Sequence, residues 1–164
     1  MMQAFLKPLK DQIRMGFMAA GRPLGQTGHN AALSYNLLHG FNAEGEIDPS
    51  KIMISSGTLP GPEQLDMEIQ PGSLVFSWKN HFENDRDRGL DQVILAVYHR
   101  EKSQVLGVAG GSNRKQGSET ISIEGLYGSL DIWIGFVSND RKDASPSTYM
   151  GCFNISPPEG KPTE

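Results

Sequence analysis

Residues 130–138 read LDIWIGFVS, and such a stretch leaves a fold few options. Ile132, Ile134 and Phe136 alternate with the period of two that a β-strand gives its inward face. Trp133 and Val137 fall on the opposite face, where a half-exposed strand carries polar residues. Residues 93–98, VILAVY, pose the same problem in an almost unbroken apolar run. A sheet containing both strands has two apolar faces, and left in water the outer one would exceed the patch a monomer ordinarily exposes.

The opening forty residues offer a cover. Phe5, Leu6, Leu9, Ile13 and Phe17 recur at steps of three and four, with Lys7, Lys10, Asp11 and Arg14 on the other side. Pro8 fits only a first turn, so the pattern predicts a helix beginning near Lys7 and ending at Gly21-Arg22-Pro23. A second helix is expected from Thr27 or Asn30 through AALSYNLL, closed by a left-handed cap at Gly40. Neither is long enough to be stable alone. Docked across the outer face, they give three layers: helix, sheet, sheet. A neighbouring subunit is the other possible cover.

Beyond the helices the period changes to two. Strands are expected at Lys51–Ser56, at Leu65–Ile69 and, after the Pro71-Gly72 turn, through Leu74, Phe76 and Trp78. Residues 92–99, 105–109, 120–123, 130–138 and 148–155 complete about eight. The connectors NDRDRG, GGSNRKQG, LYGS and NDRKDASPS have turn chemistry, and short strands so spaced argue an antiparallel sandwich. The reading is an α+β chain, an N-terminal helical pair packed on an antiparallel Ig/fibronectin type III-like β-sandwich. Its parts are a helical segment at 1–41, a sandwich at 42–155 and a loose tail at 156–164.

At 164 residues the chain can bury a full core without a disulfide, and Cys152 is its only cysteine. A net charge of −4 provides no concentrated positive patch, so neither nucleic acid nor an anionic membrane is an expected partner. MMQAFLKPLKDQIRMGF is broken by Lys7, Pro8 and Lys10 and does not read as a signal peptide, leaving the cytoplasm as the default location.

Particular stretches resemble known folds. SLVFSWKN is similar to the B strand of a fibronectin type III domain with its buried tryptophan, here Trp78. QVILAVYHRE stands where strand C would be, TISIEGL where strand E and its leucine corner would be, and IWIGFVSNDRKDASPS resembles strand F with a polar F–G loop. That fold's corner tyrosine would fall near Ile132 and is absent. Across most of the chain, NAALSYNL, IDPSKIMISSGTLPGP, ILAVYHREKSQV, GFVSND and STYMG resemble, in order, an uncharacterised family of Bacteroidota proteins. The family has no established activity, so this resemblance implies fold and lineage alone.

Reactive constellations are sparse. His29, His39, His81 and His99 lie on different elements with no metal-ligand spacing, and no cofactor motif is present. Cys152 on the last strand reads as a small core residue. GGSNRKQGS lacks the close of a phosphate-binding loop and reads as a solvated hairpin tip carrying Arg114 and Lys115. In NDRDRGLD, Arg86 and Arg88 neutralise Asp85, Asp87 and Asp91, which argues a salt-laced loop over a calcium site.

The functional expectation is a non-catalytic structural or binding module, a subunit of a surface, filament or phage-derived assembly that engages protein partners or its own copies. Candidate interaction residues are Trp133, Tyr98, Tyr127, Phe5, Leu9, Ile13 and Phe17. The alternative is a carbohydrate-binding module in which Tyr98, Tyr127, Trp133 and Tyr149 form a stacking platform. Against that platform stands Trp133 as core beneath the helices, the reading the apolar stripe favours.

Overall fold

The computed structural model describes residues 1–80 and 85–157. His81 and most of the expected tail lie outside the described residues.

The N-terminal stripe forms as a chain of short turns. Helix α1 (Met2–Leu6) passes through a 3-10 turn at Lys7–Leu9 into α2 (Lys10–Gly16) and α3 (Met18–Gly21). Helical structure therefore begins five residues earlier than Pro8 suggested. The proline sits in the first turn of the 3-10 segment, where its missing N–H costs no bond. After a 3-10 turn at Arg22–Leu24 comes α4 (Gly28–His39). Its cap is Thr27, whose hydroxyl accepts from the Asn30 N–H at 3.1 Å. Gly40 ends it at φ −89°, not in the left-handed region expected. Its lack of a side chain is required for another reason, since a Cβ there would stand 2.7 Å from both the Asn36 carbonyl and Ile52.

Seven strands follow: β1 (Asp66–Gln70), β2 (Ser73–Ser77), β3 (Gln92–His99), β4 (Gln104–Asn113), β5 (Ser118–Ser122), β6 (Gly128–Val137) and β7 (Thr148–Ile155). A single helical turn, α5 (Arg86–Gly89), precedes β3. The strands form two antiparallel sheets, ordered β1-β2-β5 and β4-β3-β6-β7. β3 and β6, the two strands apolar on both faces, are the central pair of the larger sheet. The chain is thus a β-sandwich with a helical N-terminal part, as its patterning predicts.

Two cores flank that central pair. Between the sheets, Val93, Leu95 and Val97 of β3 and Leu130, Ile132, Ile134 and Phe136 of β6 meet Leu74, Phe76, Trp78 and Ile121. On the outer face, Ile94, Ala96, Tyr98, Trp133 and Val137 meet Leu6, Leu9, Ile13 and Phe17 of the helical stripe. Each buried Leu, Ile or Phe side chain contributes about 1.5–3 kcal/mol, enough together to hold short helices that would melt alone.

Residues 51–56 are not the strand their alternation predicts. After a 3-10 turn at Pro49–Lys51 they run as a strap over the outer face, with Ile52 and Ile54 fully buried. Their backbone bonds go to side chains and to a helix end instead of a neighbouring strand. The Met53 N–H donates to Asn36 Oδ1 (2.9 Å), the Ile54 N–H to Ser147 Oγ (2.9 Å) and the Ser56 N–H to the Gly16 carbonyl (3.0 Å). The burial that produced the apolar pattern is real, but it faces helices, so no ladder forms.

Candidate functional site

Six of the seven residues singled out as an interaction surface converge on the interface between the helical layer and the sheet. Trp133 lies beneath the strap with its indole N–H shared between the carbonyls of Ile52 (3.1 Å) and Pro49 (3.2 Å). The Phe5 ring stands 4.9 Å from Tyr98 and 6.3 Å, edge-on, from Trp133. Leu9, Ile13, Phe17, Tyr98 and Trp133 are all buried, and Phe5 is partly so. These six therefore seal the chain's own layers and present no open surface. The four-aromatic stacking platform does not form either, because Trp133 and Tyr98 are covered and Tyr149 is half-buried. Tyr127 alone stands apart, half-exposed after β5.

The rim of the covered face carries a charged cluster that strand alternation alone did not reveal. Asp131, fully buried, receives both prongs of Arg100: Nε to Oδ2 at 2.8 Å and Nη2 to Oδ1 at 2.9 Å. The Tyr149 hydroxyl donates to Oδ1 at 2.6 Å. Those bonds raise the Arg100 guanidinium's pKa, and burial followed by the Asp131 carboxylate raises that of the Tyr149 phenol. Cys152 pairs in register with Asp131 and is exposed, which corrects its reading as a core residue. Burial of the thiol's surroundings and the Asp131 charge push its pKa up, the opposite of an activated nucleophile.

A second correction concerns the β4–β5 connection. Arg114 is no solvated tip; it is 2% exposed and points inward. Its Nη2 lies 3.1 Å from Asp91 Oδ2 and donates to the Pro60 carbonyl at 2.7 Å. The guanidinium carbon sits 4.0 Å above the Phe136 ring. Gln116 holds the turn by accepting from the Asn113 N–H at 2.7 Å. In the neighbouring acidic loop, Asp85 caps α5 through the Arg88 N–H (3.2 Å), and Arg88 stands 3.4 Å from Asp91. The Asp85 and Asp91 carboxylates are spent on a cap and on arginines; among the described residues no three metal-ligating side chains converge.

At the end of the sandwich near Tyr127 an open groove of about 740 Å³ runs between the β1–β2 turn, the β5–β6 connection and the end of β7. Ile69, Ile123, Leu126 and Ile155 provide its apolar base, with Gln70, Glu124, Tyr127 and Ser156 along the rim. The Ile123 N–H donates to the Gly72 carbonyl (2.9 Å) and the Leu126 N–H to the Ile123 carbonyl (2.9 Å), so backbone bonds tie the two turns. Tyr127 is anchored through its carbonyl. The Lys102 N–H donates to His99 Nδ1 at 3.0 Å, which leaves the ring proton on Nε2, and Nε2 donates to the Tyr127 oxygen.

On the outside of the helical layer, Leu37 and Leu38 of α4 are 51% and 79% exposed, and Leu24 just before it is 72% exposed. Among the described residues, no helix is long and apolar enough to cross a membrane.

A family model described as a family of unknown function, DUF6266, matches residues 1–151. No curated protein matches the chain.

Proposed function

The chain belongs to the DUF6266 family of unknown function, and from that premise we propose a non-catalytic structural or binding module that works as a subunit of a larger assembly. The observation that carries this reading is the pair of exposed leucines on α4, Leu37 and Leu38, on a helix whose other face is already committed to the core. The core needs no further cover, so apolar residues presented outward are available to another protein surface.

The ionisable groups support the non-catalytic part. Asp131 is held by Arg100 and Tyr149, Asp91 by Arg114 and Arg88, and the lone thiol is shifted away from reactivity. A nucleophile needs a free base within reach, and these side chains are already partnered. We read the sandwich as fibronectin type III-like, supported by its strand orders β1-β2-β5 and β4-β3-β6-β7 and by buried Trp78 next to β2. Surface structures, filaments and phage-derived particles of Bacteroidota are the settings this analogy suggests.

The test is the mass of the particle in solution and in cells. Self-association at high concentration, or recovery of a defined partner by cross-linking, that is lost in Leu37→Ser/Leu38→Ser supports the reading. A strict monomer with no cross-linked partner overturns it.

A further inference from the structure

We propose that the groove beside Tyr127 is a binding site for a neutral saccharide, with the phenol ring as its stacking surface. This is separate from any assembly role, since α4 lies on the helical layer and the groove at the end of the sandwich.

A pyranose ring is amphipathic: one face presents C–H groups, the edge presents hydroxyls. A site for it needs an aromatic or aliphatic surface bordered by side chains that both donate and accept hydrogen bonds. The groove has both. Ile69, half-exposed, and Ile155 form the aliphatic wall, and Tyr127 gives a partly exposed ring. Gln70, Glu124 and Ser156 border it with an amide, a carboxylate and a hydroxyl. Among the described residues none of these three side chains, nor the Tyr127 hydroxyl, is engaged in a hydrogen bond or ion pair. Lining an apolar groove, they are open to a ligand's hydroxyls. The one charge on the rim is the Glu124 carboxylate, which favours neutral sugars and repels uronic acids.

The backbone that carries the ring is also held in place. His99, 2% exposed, grips the Tyr127 carbonyl, and Gly128 (φ 122°) lets the chain turn against it, since a Cβ there would stand 2.9 Å from His99 Nε2. Glu101 accepts from the Ser129 N–H at 3.0 Å and fixes the next residue. A backbone ordered before the ligand arrives loses less entropy on binding.

Amide chemical shifts of the whole chain, titrated with maltohexaose, cellohexaose, xylohexaose and chitohexaose at millimolar concentration, test this. The expected result is a shift with at least one of them, confined to residues 69–72, 123–128 and 155–156, and none with a galacturonate oligomer. Tyr127→Ala should weaken binding about tenfold, the worth of one aromatic stacking contact, while Tyr127→Phe retains most of it. Glu124→Ala, on an exposed side chain without a partner among the described residues, should weaken binding with the fold intact, so a misfolded Tyr127→Ala leaves the test standing. Absence of shifts with all four sugars, shifts that map elsewhere, binding unchanged in Glu124→Ala or in a folded Tyr127→Ala, or a groove that answers only to peptide overturns the proposal.

Discussion

Asp91 and Arg114, 23 residues apart, form a buried ion pair with Oδ2 and Nη2 separated by 3.1 Å, and the Arg114 N–H also donates to the Asp91 carbonyl at 2.7 Å. The start of β3 is thereby bound to the turn after β4. Burial raises the Asp91 pKa against the pull of Arg114, and burial lowers that of Arg114, so both charges are held at a desolvation cost. Such pairs stabilise little in net terms, but removing one partner is expensive.

Arg114→Met should therefore cost about 3–5 kcal/mol at neutral pH, because it strips Asp91 of its closest cation. The variant's deficit should shrink in acid. With Arg114 gone, burial holds the folded-state pKa of Asp91 further above its unfolded value, so the folded state binds the proton more tightly. Stability then rises as pH falls through that folded value toward the unfolded one. Adding Asp91→Asn should recover much of the loss at neutral pH. Urea unfolding of the four variants of this cycle at neutral and acidic pH checks both statements.

Trp133 anchors the strap through two carbonyls. Trp133→Phe keeps a ring against Tyr149, whose centroid lies 5.3 Å away, but removes the indole donor from the Ile52 carbonyl and leaves the Pro49 carbonyl with the Ile52 N–H (3.2 Å). A loss of about 1–3 kcal/mol is expected, against about 3–5 kcal/mol for Trp133→Ala. Denaturant midpoints measure both. The indole should also be closed to acrylamide quenching in the native protein; a readily quenched Trp133 would contradict the covered face.

Gly16 lies where α2 meets the strap, and a Cβ there would stand 2.2 Å from the Ile54 carbonyl oxygen. That oxygen is backbone and cannot swing aside, so Gly16→Ala should destabilise by about 1–3 kcal/mol, despite alanine's better helix propensity. Gly25→Ala is a useful comparison. Nothing lies within 4 Å of its Cβ position, so whatever it costs comes from its left-handed backbone (φ 65°) alone. Thermal unfolding of the two variants separates crowding from backbone strain.

Cys152 is exposed, yet its thiol should react slowly with a disulfide reagent at neutral pH and faster as pH rises. Burial and the Asp131 charge delay its ionisation, and only the thiolate attacks. In Asp131→Asn the repelling charge is gone while Arg100, which favours the thiolate, remains. Labelling should then be faster. An unchanged rate would show that the carboxylate does not govern the thiol.

Helix and strand periodicity is a property of neighbouring residues, and it was legible from residue order. Phe5, Leu6, Leu9, Ile13 and Phe17 announced a one-sided helical stripe, and Trp133 with Val137 announced a face that had to be covered. Burial of apolar area is nondirectional and roughly additive, so these patterns were enough to infer three layers. The same local logic misjudged residues 51–56, Cys152 and Arg114. An alternating apolar run is the same whether a strand or a helix lies beside it, and a Gly-rich turn with an arginine is the same whether the arginine points out or in.

What the sequence alone determined is the layered sandwich and the need for its helical cover. Tertiary structure alone decided which polar groups are spent and which stay open. Asn36 meets Met53, Asp91 meets Arg114, and Asp131 meets Arg100 and Tyr149 only after distant segments have packed. Hydrogen bonds and ion pairs are short-ranged and directional, so their partners are set by three-dimensional approach and carry no period along the chain. The groove beside Tyr127 exists for the same reason, where two connections and the end of β7, far apart in sequence, come together.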